Sequence, residues 1–434
     1  MNPKTALSFI QDYQKSLSKE KPDFKNPATL AEARTIADEI LKIGLRFSHI
    51  VELENTTTSE DLKSTFSNLI HLAVKLARSK AAVMESTAYH SSIILPAYGE
   101  NIRMMPRGTN DGEDINGEDF IVEKSKQLQW LFAGTESTYE IVIVDDMSKL
   151  DPVSSGQAAT DVINNKHIPH VRVLFLEEGA KQEKSGDSLV AKSLVGVEFP
   201  KNTKKAGAVY YGVAKAIETY KLQVPHVIIL TDCDLSVDIG QLGNLAKPII
   251  DGTAVAVAGS RRLPQSILEI EAARNVRANA ARYFREILLK GLLPKDTQCG
   301  AKAFSATALG DVIASGLQVL DFSFDIELLT KIAIRFGAQK IVPIAVAWFD
   351  SAELTTTDTS VHFNIMKAQL AIAKANKTGQ GDVFEKAIAV SEHLTSDEEV
   401  WLQFLDQLKG DEVLLQKIQT FDTSALEDIP AVVN

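Results

Sequence analysis

Cysteine is almost missing: Cys233 and Cys299 are the only two in 434 residues. Two thiols cannot build the disulfide framework of a small secreted scaffold, so a reducing compartment is the simpler inference and a cytoplasmic location is expected. Nowhere do roughly 18 apolar residues run without interruption, the minimum for a helical membrane span. The N-terminus lacks the apolar core of a signal peptide. Positive charge is in deficit, with 46 Lys and Arg against 57 Asp and Glu and a formal net charge of −11. Phosphate backbones need clustered Lys and Arg to displace their counterions, and no such face is visible, so nucleic acid is excluded as a partner. There is also no fixed-period repeat and no low-complexity tract. What remains is 45% hydrophobic and 24% charged, ordinary for a globular protein, and long enough for one large or two modest domains.

The most informative stretch is His226-Val-Ile-Ile-Leu-Thr-Asp-Cys-Asp-Leu-Ser236. A β-branched and aliphatic run reads as a buried strand, and it ends in two carboxylates two residues apart, which on extended backbone point the same way. Hard oxygen ligands at the carboxyl edge of an α/β sheet suit Mg2+ or Mn2+ carrying a phosphorylated substrate. Asp232 and Asp234 are therefore the candidate metal ligands.

Taken in order, residues 1–90 show helical stripes only, over 29–54 after the start signal Asn26-Pro27 and over 59–84. The period changes at Ser91. Ile93-Ile-Leu-Pro-Ala-Tyr-Gly-Glu100 reads as a first strand, 108–119 as an exposed acidic loop, 122–132 as a helix, and Ile141-Val-Ile-Val-Asp-Asp-Met-Ser148 as a second strand ending in carboxylates. A third strand is expected at 171–176, a surface insertion or lid at 177–200, a helix at 204–219 and a strand at 253–258. After Gly259-Ser-Arg-Arg262, a helix is expected at 269–293, a further helix at 324–336, a strand at 340–348, and helices from 361 onward. The resulting division is a helical region over 1–90, an α/β catalytic domain over 91–355 and a helical region over 356–434.

If the strands are parallel, their acidic ends share one edge, and carboxylates that converge repel one another unless a cation or hydrogen-bond donors sit among them. A nucleotide-sugar fits this setting: Asp145 for the base or ribose, Tyr98 to stack, Asp232 and Asp234 for the metal on the diphosphate, Arg261 for a bidentate phosphate contact.

Six segments in order, from the two strands above through Thr231-Asp-Cys-Asp-Leu-Ser236, Gly259-Ser-Arg261, Asp296-Thr-Gln-Cys-Gly-Ala-Lys302 and Phe324-Asp-Ile-Glu-Leu-Leu329, resemble the family-two glycosyltransferases of the GT-A fold. Among these they look most like the dolichyl- or polyprenyl-phosphate hexosyltransferases. The resemblance implies a Rossmann-like, mainly parallel sheet flanked by helices, and transfer of a hexose from a UDP- or GDP-sugar, with inversion. It implies that Pro96, Tyr98, Glu100, Asp145, Asp146, Lys205 and Asp232 line the nucleotide site, and that Arg261 contacts the diphosphate; Arg261, Asp296 and Glu327 are the candidate catalytic residues, the two acids as base or to orient the sugar. It places the Asp296–Lys302 segment near the sugar and acceptor, with Gln298 and Lys302 as contacts. Arg277 is added because the basic-to-apolar helix at 277–293 suits a lipid phosphate, its apolar last turn meeting a bilayer. A soluble acceptor, a protein or a small phosphorylated metabolite, stands beside that reading, as does a non-catalytic nucleotide-sugar-binding scaffold. A phosphoacceptor receiver module fits the spacing of the Asp232 strand poorly. Lys204 and Ala206 stand where the family has glycines, which puts the donor contacts of that loop in question.

Overall fold

The computed structural model describes residues 3–17, 21–108, 116–149, 152–269, 275–349 and 359–432. Four helices come first: α1 (Pro3–Ser16), α2 (Pro27–Lys42), α3 (Phe47–Thr57) and α4 (Asn68–Met84). Asn26 starts α2 as expected, its side-chain oxygen accepting the Ala28 N–H at 2.9 Å ahead of Pro27 in the first turn. The stripe read as one helix over 29–54 is two. Gly44 takes φ +79° just beyond α2, a left-handed turn that ends the helix, and the chain restarts at α3. The second stripe also begins late: Ser67 caps α4, and a short 3-10 turn at Lys63–Thr65 occupies the residues before it.

Strands and helices then alternate. β1 (His90–Ala97), α5 (Phe120–Phe132), β2 (Thr138–Asp145), α6 (Ser155–Lys166) and β3 (Val171–Phe175) form the first crossovers. α7 (Leu176–Gln182), α8 (Leu189–Ser193) and α9 (Ala206–Thr219) lead to β4 (His226–Leu230). α10 (Leu242–Ile250), β5 (Ala256–Ser260), β6 (Ile267–Glu269) and α11 (Asn275–Leu288) follow, then β7 (Lys302–Ser305), α12 (Ala306–Ala314), α13 (Phe324–Phe336), β8 (Ile341–Ala345) and β9 (Ala347–Phe349). Five helices close the chain: α14 (Thr359–Asn376), α15 (Asp382–Leu394), α16 (Glu398–Gly410), α17 (Glu412–Thr420) and α18 (Ala425–Val432). Among the described residues no helix is long and apolar enough to cross a membrane.

The main sheet runs β3-β2-β1-β4-β7-β5-β8, parallel throughout except for β7, which is antiparallel to both neighbours. β6 and β9 pair separately. This is the mainly parallel, helix-flanked class expected. β7 itself went unseen in the sequence, because a four-residue strand that opens on a lysine carries no apolar run. Both sheet faces are covered, and the two-residue period of a strand sorts its side chains between them. Ile93, Leu95, Ile141, Ile143, Val227 and Ile229 join a core shared with α2, α4 and α5. Ile94, Val142, Val144, Ile228 and Leu230 join the opposite one, with α9, α12 and α13.

Two expectations change here. Residues 177–200 are neither a bare insertion nor a lid: Val190, Leu194 and Val197 are buried in the second core, and Glu183 is held by the Tyr211 hydroxyl at 2.9 Å and by Lys215 at 2.8 Å. The apolar last turn of α11 is not available to a bilayer, because Leu288 and Leu289 are buried in a third core built with α14–α18. Of the helix read over 269–293, residues 270–274 lie outside the described residues, as do 109–115 of the acidic loop.

Candidate active site

β2, β1 and β4 lie side by side and parallel, with Ala97 opposite Asp145 and Ile94 opposite Leu230. Their carboxyl ends therefore reach one edge. The sheet is built outward from β1 in both directions, so β1 and β4 flank the point where strand order reverses, the usual crevice for a ligand in such sheets.

Lys205 joins the two sides of that crevice. Its backbone N–H donates to Asp146 at 2.8 Å, and its ammonium pairs with Asp232. Lys204 and Lys205 have φ of 47° and 89°, so the turn before α9 keeps the backbone form that glycines would adopt freely, at a strain of order 1–3 kcal/mol per residue. The Asp146 carboxylate holds that turn, accepting also from Thr203 N–H at 3.0 Å and Thr203 Oγ1 at 2.7 Å. Asp145 is similarly engaged, with Ser148 N–H at 2.8 Å and Gly156 N–H at 2.6 Å at the start of α6. Both carboxylates are buried and bonded to the protein's own donors. They shape the crevice, and the expected direct contact from Asp145 to a base or ribose is not what this geometry offers.

Asp232 keeps 30% of its side chain open, so a ligand can reach it. Burial raises its pKa, but Lys205 and then Lys302 outweigh that and hold it low. Asp234 moves the other way, pushed up by burial, then by Asp232 and Glu118. Beneath the pair lies Lys124 of α5, wholly buried, whose ammonium has no hydrogen-bond partner among the described residues; burial lowers its pKa against the attraction of Asp234. Glu100 binds Arg103 at 2.7 Å on the same side, Tyr98 is exposed, and Pro96 lines a small cavity of about 10 Å³ with Lys205, Gly300, Lys302 and Asp325.

A divalent cation fits Asp232 and Asp234 on two grounds. The carboxylates repel each other, and Gly300 makes room for the Asp232 carboxylate, whose Oδ2 lies 2.1 Å from where a Cβ would stand. No group of three His, Cys, Asp or Glu able to hold a metal occurs among the described residues. The two aspartates would leave the remaining positions to water and phosphate oxygens, as is usual for Mg2+.

Arg261 and Asp296 form a bidentate pair: Nε and Nη2 each donate at 2.9 Å, and the Arg261 backbone N–H donates at 2.8 Å. The guanidinium also lies 5.1 Å from the centre of the Trp348 ring. Burial raises the Asp296 carboxyl, but the bonds and charge of Arg261 prevail and bring it to about 2. So weak a base does not take a proton from a hydroxyl efficiently, and Asp296 holds Arg261 in place.

Glu327 does not enter the crevice. It accepts from the Gln318 N–H at 3.0 Å and the Val319 N–H at 2.8 Å, and pairs with Lys331 at 3.2 Å. Two residues along a helix turn through about 200°, so Asp325 faces the opposite way. Asp325 pairs with Lys302 at 3.0 Å, beside Lys205 and Asp232, and sequence reading passed over it. Lys302 is buried in β7, where its ammonium meets Asp325 and the Cys299 carbonyl. Gln298 is half-buried with its amide nitrogen enclosed and unpartnered. The backbone of Arg277 is in α11, and its side chain lies outside the described residues. Cys299 is buried, and burial pushes its thiol up to about 11, which suits a filler.

No family model matches the chain, and no curated protein matches its sequence significantly. Solved structures are similar at low identity. Glucosyl-3-phosphoglycerate synthase from Mycobacterium tuberculosis in complex with Mn2+, uridine-diphosphate and phosphoglyceric acid has 14% identity and TM-score 0.44 over 71% of this chain and 84% of that one. The same enzyme with Mn2+ and uridine-diphosphate-glucose has 14% identity and TM-score 0.42 over 69% and 83%. Mannosyl-3-phosphoglycerate synthase from Rubrobacter xylanophilus has 12% identity and TM-score 0.43 over 70% and 79%.

Proposed function

We propose that the protein is a metal-dependent glycosyltransferase that moves a hexose from a nucleoside diphosphate to a small soluble phosphorylated acceptor. The observation that carries this reading is Lys205 spanning Asp146 and Asp232 across the strand-order reversal, which gathers the acidic strand ends into one crevice. When bound, the cation neutralises charge on the departing diphosphate. Asp232 and Asp234 hold it, Lys205 adds a second positive charge, and Arg261, fixed by Asp296 through Nε and Nη2, keeps Nη1 for a phosphate oxygen. The bond from the anomeric carbon to the diphosphate breaks with its electron pair on the leaving oxygen, and an acceptor hydroxyl oxygen bonds to that carbon and releases its proton to water. A soluble acceptor is preferred to a polyprenyl phosphate because the apolar turn that suggested a bilayer is packed inside the third core.

The test is thermal stability with UDP-glucose, GDP-mannose and a CMP-sugar, each with and without Mn2+. One donor should stabilise the chain more in the presence of Mn2+, by about 2.7 kcal/mol at 100-fold its dissociation constant, and Asp232→Asn should remove the metal-dependent part. A response to none of them sinks the proposal. 3-Phosphoglycerate, glycerol 3-phosphate and a detergent-dispersed polyprenyl phosphate then serve as competing acceptors.

A further inference from the structure

Arginines gather where the end of β5 meets α11. Arg261 is matched by Asp296, and Arg285 by Glu286 at 2.6 Å. Arg285 also donates to Thr297 Oγ1 at 2.8 Å and to the Lys295 carbonyl at 2.7 Å, which fixes its position. Arg262 and Arg282 have no carboxylate partner among the described residues. Among the described residues, Arg282 Nη2 meets only the Asn279 side-chain oxygen, at 3.0 Å, and its Nε is enclosed with no acceptor. Its guanidinium lies 5.1 Å from the centre of the Phe421 ring, just beyond α17, where Phe421 takes φ +59°. An arginine stacked on a ring is held by its face while its in-plane N–H groups stay free for an anion. The surplus charge is felt: burial first, then Arg262 and Arg285, push the Arg282 pKa down to about 10. Arg262 is exposed and borders an open hollow of about 410 Å³, together with Arg261, Lys63 and Asn68. Lys63 is steadied there by the Pro264 and Ser266 carbonyls, each at 2.9 Å.

We infer that Arg262, Arg282 and Arg285, with Arg282 seated on Phe421, form a binding site for a phosphate-type dianion. Two guanidinium groups without counter-charge match the two negative charges of such a ligand. Naming that anion as the acid group of the sugar acceptor rests on the glycosyl-transfer reading; the anion site itself does not. The C-terminal helices thereby help to choose the acceptor, through the ring on which Arg282 rests. The N-terminal helices border the same region through Lys63 and Asn68.

Thermal unfolding of the full chain with millimolar inorganic phosphate, against chloride at equal ionic strength, tests this in the wild type, Arg262→Met, Arg282→Met and Phe421→Leu. Phosphate should raise the wild-type midpoint. Its apparent affinity should fall about tenfold or more in both methionine variants and by less in Phe421→Leu, while the response to UDP-glucose with Mn2+ is unchanged. Arg262 is exposed, so its variant keeps the comparison intact if Arg282→Met proves unstable. No phosphate response in the wild type, or an equal one in wild type and methionine variants, overturns the site. A phosphate response that behaves as expected in a chain no nucleotide-sugar stabilises upholds the site and sinks the transferase reading.

Discussion

Gly300 concentrates the argument at the scale of a single residue. Its backbone conformation asks nothing that alanine cannot supply, yet an added methyl would stand 2.1 Å from Asp232 Oδ2 and 3.3 Å from the Trp348 ring. The carboxylate tip can swing away, so the fold should absorb the change at well under the cost of a rigid core clash. The site cannot absorb it, because Asp232 would leave the position that Lys205 and a cation share. Gly300→Ala should therefore unfold within a few degrees of wild type but lose the Mn2+-dependent part of its response to nucleotide-sugar. Wild-type donor binding in that variant would show that Asp232 acts from some other position. The same scale explains why Asp296 and Glu327 change roles. Sequence marks a carboxylate as a candidate base, but its partners decide where it points, and Arg261 and the Gln318 and Val319 amides occupy these two.

At the scale of elements, α9 matters most because it presents Lys205 to the crevice. Gly212 lets this helix lie directly on the sheet: a Cβ there would stand 2.7 Å from Val144 Cγ2 and 2.9 Å from Ile94 Cγ2. Branched side chains on central strands have little room to yield, so Gly212→Ala should cost about 1–3 kcal/mol in urea unfolding and weaken donor binding together with it. A variant as stable as wild type would mean that α9 is less firmly seated than its packing indicates. Such contacts mark the boundary of what a sequence displays. β1, β2 and β4 were legible because each combines an apolar run with polar residues at its end, a strictly local pattern, and their shared edge follows from parallel pairing. β7 was not legible, since its place between β4 and β5 is decided by tertiary packing. The Arg261–Asp296 and Lys302–Asp325 pairs were hidden for the same reason. Each joins residues far apart in the chain, and only folding shows which cation a carboxylate meets.

At the scale of the whole molecule, the question is whether the helical ends are appendages or parts of the fold. Helices α1–α4 share one core with the sheet, and polar contacts reinforce the junction: Arg34 of α2 pairs with the buried Asp238 at 3.6 Å, and the buried Lys75 of α4 donates to the Ala345 carbonyl of β8 at 3.4 Å. Removing one partner of a buried pair typically costs about 3–5 kcal/mol, so this junction is hard to open alone. Trp130 reports on it directly, with its indole N–H donating to Asp38 at 3.0 Å and the Lys80 ammonium 4.5 Å from its ring centre. Trp348 reports on the site, beneath Arg261. Trp401 is the third tryptophan and sits in the C-terminal core, where its N–H has no partner, so Trp401→Phe removes its signal without removing a hydrogen bond. In that background, Trp348→Phe and Trp130→Phe each leave one reporter. Because both reporters belong to one continuous core, their urea transitions should coincide once each variant's own stability, measured by circular dichroism, is taken into account. A Trp130 transition that clearly precedes the loss of helix and sheet signal would show that α1–α4 open independently, and that the Arg34–Asp238 junction is weaker than its burial implies.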